Sequence, residues 1–395
     1  MARLTVLVNA GPWLPVPPPG YGGIENVLAT LIPELRARGH RVVLATVGES
    51  EIEVDRRVSL FDRGQFERLA EPYNRVVGVV HAHMQMVLDE LCADSEIDLV
   101  HDHLEVVGAS ALARMDAAPP ALQTLHWDLR KNADFYSVFD GRGRVFFNGV
   151  SARQLELAPA GLRSQALGAV PLATCVEKMP YERHKREYVA LVGRLTPEKG
   201  ADIAARVCRE HGIELRLAGP VAAARDAEEV AARLADRDGG WSQLRDARFY
   251  LERVRPLEGG PVRWLGSLDR EANLRLVASA RAVVFPLRWD EPGATAAVEA
   301  LACGTPVIGL RRGALCNIVE HGVTGFLADD EQELAGYLKR AGELRPEACR
   351  AAARERFDAA LMAERYVQLY EEVVERARAQ TLKTAWSTSR SRAAS

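Results

Sequence analysis

The sequence predicts an α/β protein built from two parallel-sheet units, and three observations carry that reading. Short apolar, β-branched runs alternate with runs of helical period, first over residues 4–150 and again over residues 188–310. A polar stretch at residues 177–187, with Pro180 inside it, separates the two series and reads as an interdomain linker. The chain has 395 residues, enough for two separate cores.

Residues 4–10 form the first expected strand. Ile24, Val27, Leu28, Leu31, Ile32 and Leu35 mark one face of the helix that follows, Gly39 ends it, and residues 41–46 form the next strand. Pro33 removes a backbone hydrogen bond inside that helix and is expected to kink it. Further strands are expected at residues 98–101, 121–125 and 145–150. The second unit opens with strands at residues 188–192, 214–218 and 262–265. It continues with a strand at 282–286, an alanine-rich helix at 295–303 stopped by Gly304 and Pro306, and a strand at 307–310. Residues 361–378 read as a helix, and residues 381–395 as a Ser/Thr/Ala/Arg tail too polar to pack.

Composition excludes several function classes. Hydrophobic residues make up 48%, aromatics 6% and charged residues 27%, as in ordinary globular proteins. A net charge of −3 offers no general attraction to nucleic acid or anionic lipid. No cationic leader precedes an apolar run, and no apolar stretch reaches spanning length. Residues 51–79 are mixed in charge, without a basic amphipathic stripe, so membrane contact is not expected. The six cysteines lack C-x-x-C spacing and read as reduced thiols of a cytoplasmic protein. His81/His83 and His101/His103 form two H-x-H pairs, which strand alternation would place on one face each. No spacing of a metal motif accompanies them, and no metal site is expected.

Three loops concentrate chemistry. Between the strand at 282–286 and its helix lie Glu291, Pro292, Gly293, Ala294 and Thr295, with Glu299 inside the helix. Helix-start amides beside small side chains let a diphosphate approach the positive end of the dipole. Carboxylates repel phosphate, so Glu291 and Glu299 suit neutral hydroxyls; two solvated glutamates on an ordinary turn are the alternative. After the strand at 188–192 come Gly193, Arg194, Leu195 and, four residues on, Lys199 and Gly200, either a diphosphate clamp or a charged surface turn. Only six of the 51 basic residues are lysines, so a lysine here hints that a compact ammonium is wanted. In the first unit, Gly22 and Gly23 follow Pro17, Pro18 and Pro19, permitting close backbone approach or simply a turn.

The run Glu291, Glu299, Ala300, Ala302, Gly304, Pro306 and Val307 resembles the donor-site signature of retaining GT-B glycosyltransferases of family four. In that family a Glu, seven residues and a second Glu precede A-x-A-x-G-x-P-V. Gly193, Arg194, Leu195, Lys199 and Gly200 are similar to its G-R-L-x-x-x-K-G. Gly22, Gly23 and Glu25 resemble its G-G followed by Glu, Val100, His101 and His103 its V-H-x-H, and Thr124, His126 and Asp128 its T-x-H-D. The chain departs at Glu291-Pro292-Gly293-Ala294-Thr295, where E-G/P-F-G-L is usual.

The resemblance implies two Rossmann-like domains facing across a cleft, the GT-B architecture. Residues 1–180 would be the acceptor side and 181–360 the nucleotide-sugar donor domain. Residues 361–380 would be a helix packing back on the N-terminal domain, with 381–395 a disordered tail. It assigns Arg194, Lys199 and the Gly293, Ala294 and Thr295 backbone to the donor diphosphate, Glu291 to a sugar hydroxyl, Glu299 to the ribose, and Gly22 and Gly23 to the closing loop. It places His126 beside the reactive carbon, acting through its carbonyl more than its ring. The expected activity is metal-independent, same-face transfer from a UDP- or GDP-sugar, with no cofactor, to a small-molecule, glycan or lipid-linked acceptor hydroxyl. A glycosyl phosphorylase, a nucleotide-sugar epimerase and a non-catalytic nucleotide-sugar-binding protein are the alternatives on the same scaffold.

Overall fold

The computed structural model describes residues 3–20, 22–116, 118–236 and 239–393. The chain forms two compact units, Met1–Pro171 with Ala359–Ser395, and Leu172–Asp358.

The first unit is a seven-stranded parallel sheet of β1 (Thr5–Asn9), β2 (Arg41–Thr46), β3 (Arg56–Ser59), β4 (Leu99–Asp102), β5 (Ala121–Leu125), β6 (Val145–Gly149) and β7 (Ala166–Ala169), in the order β3-β2-β1-β4-β5-β6-β7. Its central strands are buried from end to end: their apolar residues Val6, Leu7, Val8, Leu99, Val100, Ala121 and Leu122 fill the core, and the buried polar residues Asn9, His101, Asp102, Gln123 and Thr124 lie towards their carboxyl ends. The edge strands β3 (RRVS) and β7 (ALGA) are only four residues long and exposed or half-buried, and they gave no signal of the length or β-branched content of a core strand. The Gly23–Ala37 helix continues through Pro33, with Val27, Leu28, Leu31, Ile32 and Leu35 buried.

Two expectations are corrected here. His81 and His83 lie in the Tyr73–Ala93 helix, not on a strand; helical geometry turns them apart, leaving His81 exposed and His83 buried. The final helix runs from Ala359 to Ala393, well into the expected tail, because residues 381–393 contain no Gly or Pro to stop it. Residues 394–395 lie outside the described residues. This helix packs against the Gly23–Ala37 helix and buries Met362, Tyr366, Tyr370 and Val373 in the first unit.

The second unit is a six-stranded parallel sheet of β8 (Tyr188–Val192), β9 (Glu214–Ala218), β10 (Val262–Trp264), β11 (Ala282–Phe285), β12 (Val307–Leu310) and β13 (Gly325–Ala328), ordered β10-β9-β8-β11-β12-β13. Strand alternation divides its side chains between two cores. Val189 and Leu191 of β8 enter one, with Ile308 of β12; Tyr188 and Ala190 enter the other, with Val283 of β11 and Val298 and Leu301 of the Thr295–Ala302 helix.

In each sheet the chain order reverses at one place, between β1 and β4 and between β8 and β11. Loops leaving two such strands at their carboxyl ends diverge to opposite faces and open a crevice, the usual place for a ligand in an open α/β sheet.

Candidate functional site

In the second unit, the crevice at β8 and β11 is where the two charged motifs meet. Lys199 Nζ lies 2.5 Å and 2.6 Å from the two carboxylate oxygens of Glu291. The loops that carry them are tied together beneath this pair. Arg288 binds both oxygens of Asp202 at 2.7 Å, and its amide donates to the Glu198 carbonyl at 2.9 Å. Gly200, at φ 71°, begins the Ala201–Glu210 helix; a Cβ there would collide with the Pro286 carbonyl, so glycine is required on both counts.

The far side of Glu291 is fixed as well. Its carbonyl accepts from the Ala314 amide at 2.8 Å, and the Gly313 amide donates to Asp290 Oδ1 at 3.0 Å. Gly313 has φ 51°, and any Cβ on it would overlap the Glu291 backbone. Ala294 sits at φ 45° and ψ 54°, a left-handed conformation uncommon for a residue with a Cβ, and turns the chain into the Thr295–Ala302 helix. Gly293 and Ala294 are buried, so the helix-start backbone is bordered by small groups.

Glu299 takes a different cation: Arg270 Nη1 lies 3.0 Å from its Oε1. Burial pushes the Glu299 carboxyl above the usual carboxylate range, and Arg270 acts against that shift. Arg194 is exposed in the loop after β8, close enough to Asp246 to favour its ionised form against the effect of burial. Chemically, this crevice offers an ammonium, a guanidinium and a helix start for an anion, with carboxylates at its border for hydroxyl groups.

In the first unit, the carboxyl ends of β4 and β5 carry a histidine cluster. His103 Nδ1 and His126 Nε2 are 2.8 Å apart, and the His101 ring lies 4.2 Å from the His103 ring centroid. Thr124 Oγ1 donates to Asn148 Oδ1 at 2.8 Å, so it accepts from His101 Nε2–H at 2.8 Å, and Nδ1 of the neutral His101 ring accepts from Tyr370 OH at 2.7 Å. Burial drives the His101 and His126 imidazoles down to about 3 and the His103 imidazole well below its ordinary range, so all three are neutral at physiological pH. Beside them Asp102, buried like His101 and His103 while His126 is half-buried, accepts from Asn9 Nδ2 at 2.7 Å and from Gln123 Nε2. Burial raises its carboxyl to about 6 against those bonds. Gly108 packs on Asp102 so closely that a Cβ would overlap the carboxylate.

Gly22 caps the Gly23–Ala37 helix with extended φ 165°, and Tyr21 of the same loop lies outside the described residues. A Cβ on Gly22 would strike Pro18, whereas Gly23 has open space. Glu25, in the first turn of that helix, is buried, which pushes its carboxyl up to about 7. A cavity of about 700 Å³ lies elsewhere, among Asp98, Pro120 and Arg144 ahead of β4, β5 and β6, at the opposite end of the strands from these motifs.

The fold thus brings Lys199 to Glu291 and His103 to His126, each pair from separate motifs. Reasoning from sequence missed Arg270, Gly313, Asn9, Tyr366 and Tyr370. Asn9 left a trace, a polar residue ending an otherwise apolar strand; the others carry no spacing signal. Among the described residues no group of three or more His, Cys, Asp or Glu side chains is placed to hold a metal ion. No helix among them is long and apolar enough to cross a membrane.

The family profile of glycosyl transferases group 1 matches residues 178–356, and that of glycosyltransferase family 4 matches residues 21–160. A D-inositol 3-phosphate glycosyltransferase of Acidothermus cellulolyticus is 27% identical over 276 residues, covering 67% of this chain and 54% of that protein. The chain therefore spans about half the length of this curated relative. Among solved structures, AviGT4, a glycosyltransferase involved in avilamycin A biosynthesis, superposes with a TM-score of 0.65 at 24% identity, covering 94% of this chain and 98% of that one. Sucrose-phosphate synthase from Thermosynechococcus elongatus superposes with a TM-score of 0.69 at 20% identity, covering 94% and 99%. These structural likenesses bear on fold, and the two profiles cover the loops after β4, β5, β8 and β11 in which the motifs lie. The chain belongs to the group 1 glycosyltransferases of the family-four type.

Proposed function

We propose that this protein transfers a sugar from a UDP- or GDP-sugar to an acceptor hydroxyl, with retention of anomeric configuration and without a divalent ion or cofactor. The observation that carries the reading is the Lys199–Glu291 pair at the β8/β11 crevice, beside a helix start lined by Gly293 and Ala294. Arg194, Lys199 and the helix amides take the diphosphate, Glu291 a sugar hydroxyl and Glu299 the ribose. Gly22 and Gly23 form the loop over the diphosphate, and His126 lies at the reacting carbon.

In a same-face substitution the bond from the anomeric carbon to the diphosphate oxygen breaks while the bond to the acceptor oxygen forms. The acceptor's proton passes to the departing phosphate oxygen. Cations and amides that stabilise charge on that leaving group are the protein's main contribution. Neutral imidazoles at His103 and His126 suit a site beside a carbon gaining positive character, because a charged ring there would repel it. The six free cysteines and the lack of a spanning helix among the described residues are compatible with a cytoplasmic enzyme.

Curated relatives bear names that include D-inositol 3-phosphate glycosyltransferase and phosphatidylinositol N-acetylglucosaminyltransferase, so inositol phosphates head the acceptors to test. A thermal-shift screen of nucleotides and nucleotide sugars should show stabilisation by one base series. NMR of the early product made from the stabilising donor should show the donor's anomeric configuration. An inverted product overturns the mechanism; glycoside formation that requires inorganic phosphate favours a phosphorylase, and a donor bound but never turned over a binding protein.

A further inference from the structure

Lys199 and Glu291 are assigned to different parts of the donor, the diphosphate and the sugar, yet their charged ends hold each other. Nζ makes contacts of 2.5 Å and 2.6 Å to both carboxylate oxygens, and the two side chains are only 26% and 15% exposed. The backbones beneath cannot readily drift apart. Arg288 ties the β11 loop to Asp202 and Glu198, and Ala314 and Gly313 hold Glu291 and Asp290 from the other side. A diphosphate that engages Lys199 therefore competes with Glu291 for one ammonium.

We propose that Glu291 discriminates the sugar-bearing donor from the spent nucleoside diphosphate by this competition; the inference rests on the donor-site reading above. When a diphosphate draws the Lys199 ammonium, Glu291 is left a mostly buried carboxylate with a weakened partner, close to new negative charge. Leaving such a group unpaired is costly. A nucleotide sugar compensates, because its hydroxyls donate to the carboxylate. A free nucleoside diphosphate carries no such hydroxyl, so the cost falls on product and not on donor. The pair thus favours loading of the donor and release of the product from the same cationic site.

The test is calorimetric titration of UDP, GDP, UDP-glucose and GDP-mannose into the wild type, Glu291→Gln and Glu291→Asp. Glu291→Gln removes the competing charge and should bind the nucleoside diphosphate about tenfold more tightly, the usual scale of one neighbouring charge on an ionic equilibrium. Its affinity for the nucleotide sugar should rise less or fall, so the preference for donor over product shrinks. Glu291→Asp keeps the charge and should stay near the wild type for the diphosphate. Unchanged or weaker diphosphate binding by Glu291→Gln overturns the proposal, as does an equal gain in both variants. Should Glu291→Gln fail to fold, an Asp variant that binds the diphosphate markedly more tightly still overturns it, and one near wild type supports it. A wild type that binds neither diphosphates nor nucleotide sugars overturns the donor-site reading itself.

Discussion

His103 Nδ1 and His126 Nε2 lie 2.8 Å apart, so the two imidazoles share a single hydrogen in the bond between them. The residue after β5 is thereby oriented by the residue after β4, and the His103 ring in turn packs at a 49° tilt against His101, which the final helix holds through Tyr370. The bond uses His126 Nε2 and leaves its position sensitive to groups that touch no reacting atom.

Replacing His126 by Ala should lower turnover about a hundredfold, the loss that misplacement at a reacting centre can cause. His103→Phe keeps the bulk but removes the bond to His126, and should lower turnover with little change in donor affinity. Steady-state kinetics with thermal unfolding as a folding control would check both. Wild-type turnover in His103→Phe would show that the pair does not position His126.

Acid should destabilise the fold. His83, His101 and His126 are depressed to about 4, about 3 and about 3, and His103 lies well below its ordinary value of 6.5. Unfolded imidazoles protonate below about pH 6.5 and the folded ones do not, so their stabilisation is present above pH 6.5 and is lost towards pH 3. Glu25 and Asp102 act in the opposite sense. Raised to about 7 and about 6, they favour the fold in acid and lose that contribution as pH rises through those values. Four imidazoles outweigh two carboxyls by two protons, giving a slope of about 3 kcal/mol per pH unit. The thermal midpoint should fall from pH 6.5 to pH 4.5; a flat or rising profile would contradict the burial of these rings.

Glu299→Gln keeps the shape but weakens hydrogen bonds that a carboxylate makes best, a loss of ~1.5–3 kcal/mol in donor binding. The assigned ribose contact exists in ground and transition states alike, so KM should rise more than kcat falls. Arg270→Ala leaves the carboxylate without its orienting partner and should raise KM by a smaller factor. Kinetics that show a dominant kcat loss in Glu299→Gln would move this residue to the chemical step.

Gly313→Ala forces a Cβ against the Glu291 backbone at a left-handed φ, at a cost of ~1–3 kcal/mol. Any relief must displace the loop that carries Glu291, so activity should fall further than thermal stability alone explains. Comparing the variant's turnover with its unfolding midpoint separates the two effects.

Activity should survive exhaustive chelation, because Arg194, Lys199 and a helix start are assigned to the diphosphate charge. A rate abolished by chelator and restored by Mg²⁺ or Mn²⁺ would show that this assignment is incomplete.

Strands buried on both faces were legible in the amino-acid pattern alone. β8, β9, β11 and β12 fall within a residue or so of their expected limits; β8, β11 and β12 are apolar throughout because two cores cover them, and β9 (ELRLA) alternates two half-buried charged residues with buried leucines. The Thr295–Ala302 helix was legible for a similarly local reason, its glycine stop. Edge strands β3 and β7 were not, since solvent places no demand on their pattern. Nor was the helical setting of His81 and His83, because two residues of one type at i and i+2 do not state their backbone. Motif residues could be named from the sequence, but their partners could not. Lys199 meets Glu291 92 residues away because the adjacent strands β8 and β11 bring their loops to one edge, and Glu299 meets Arg270 because the Arg270–Ser279 helix packs on the Thr295–Ala302 helix. Burial of the histidine cluster, and with it the neutral state of His101, His103 and His126, was likewise decided by packing, because an imidazole's charge depends on the solvent left around it.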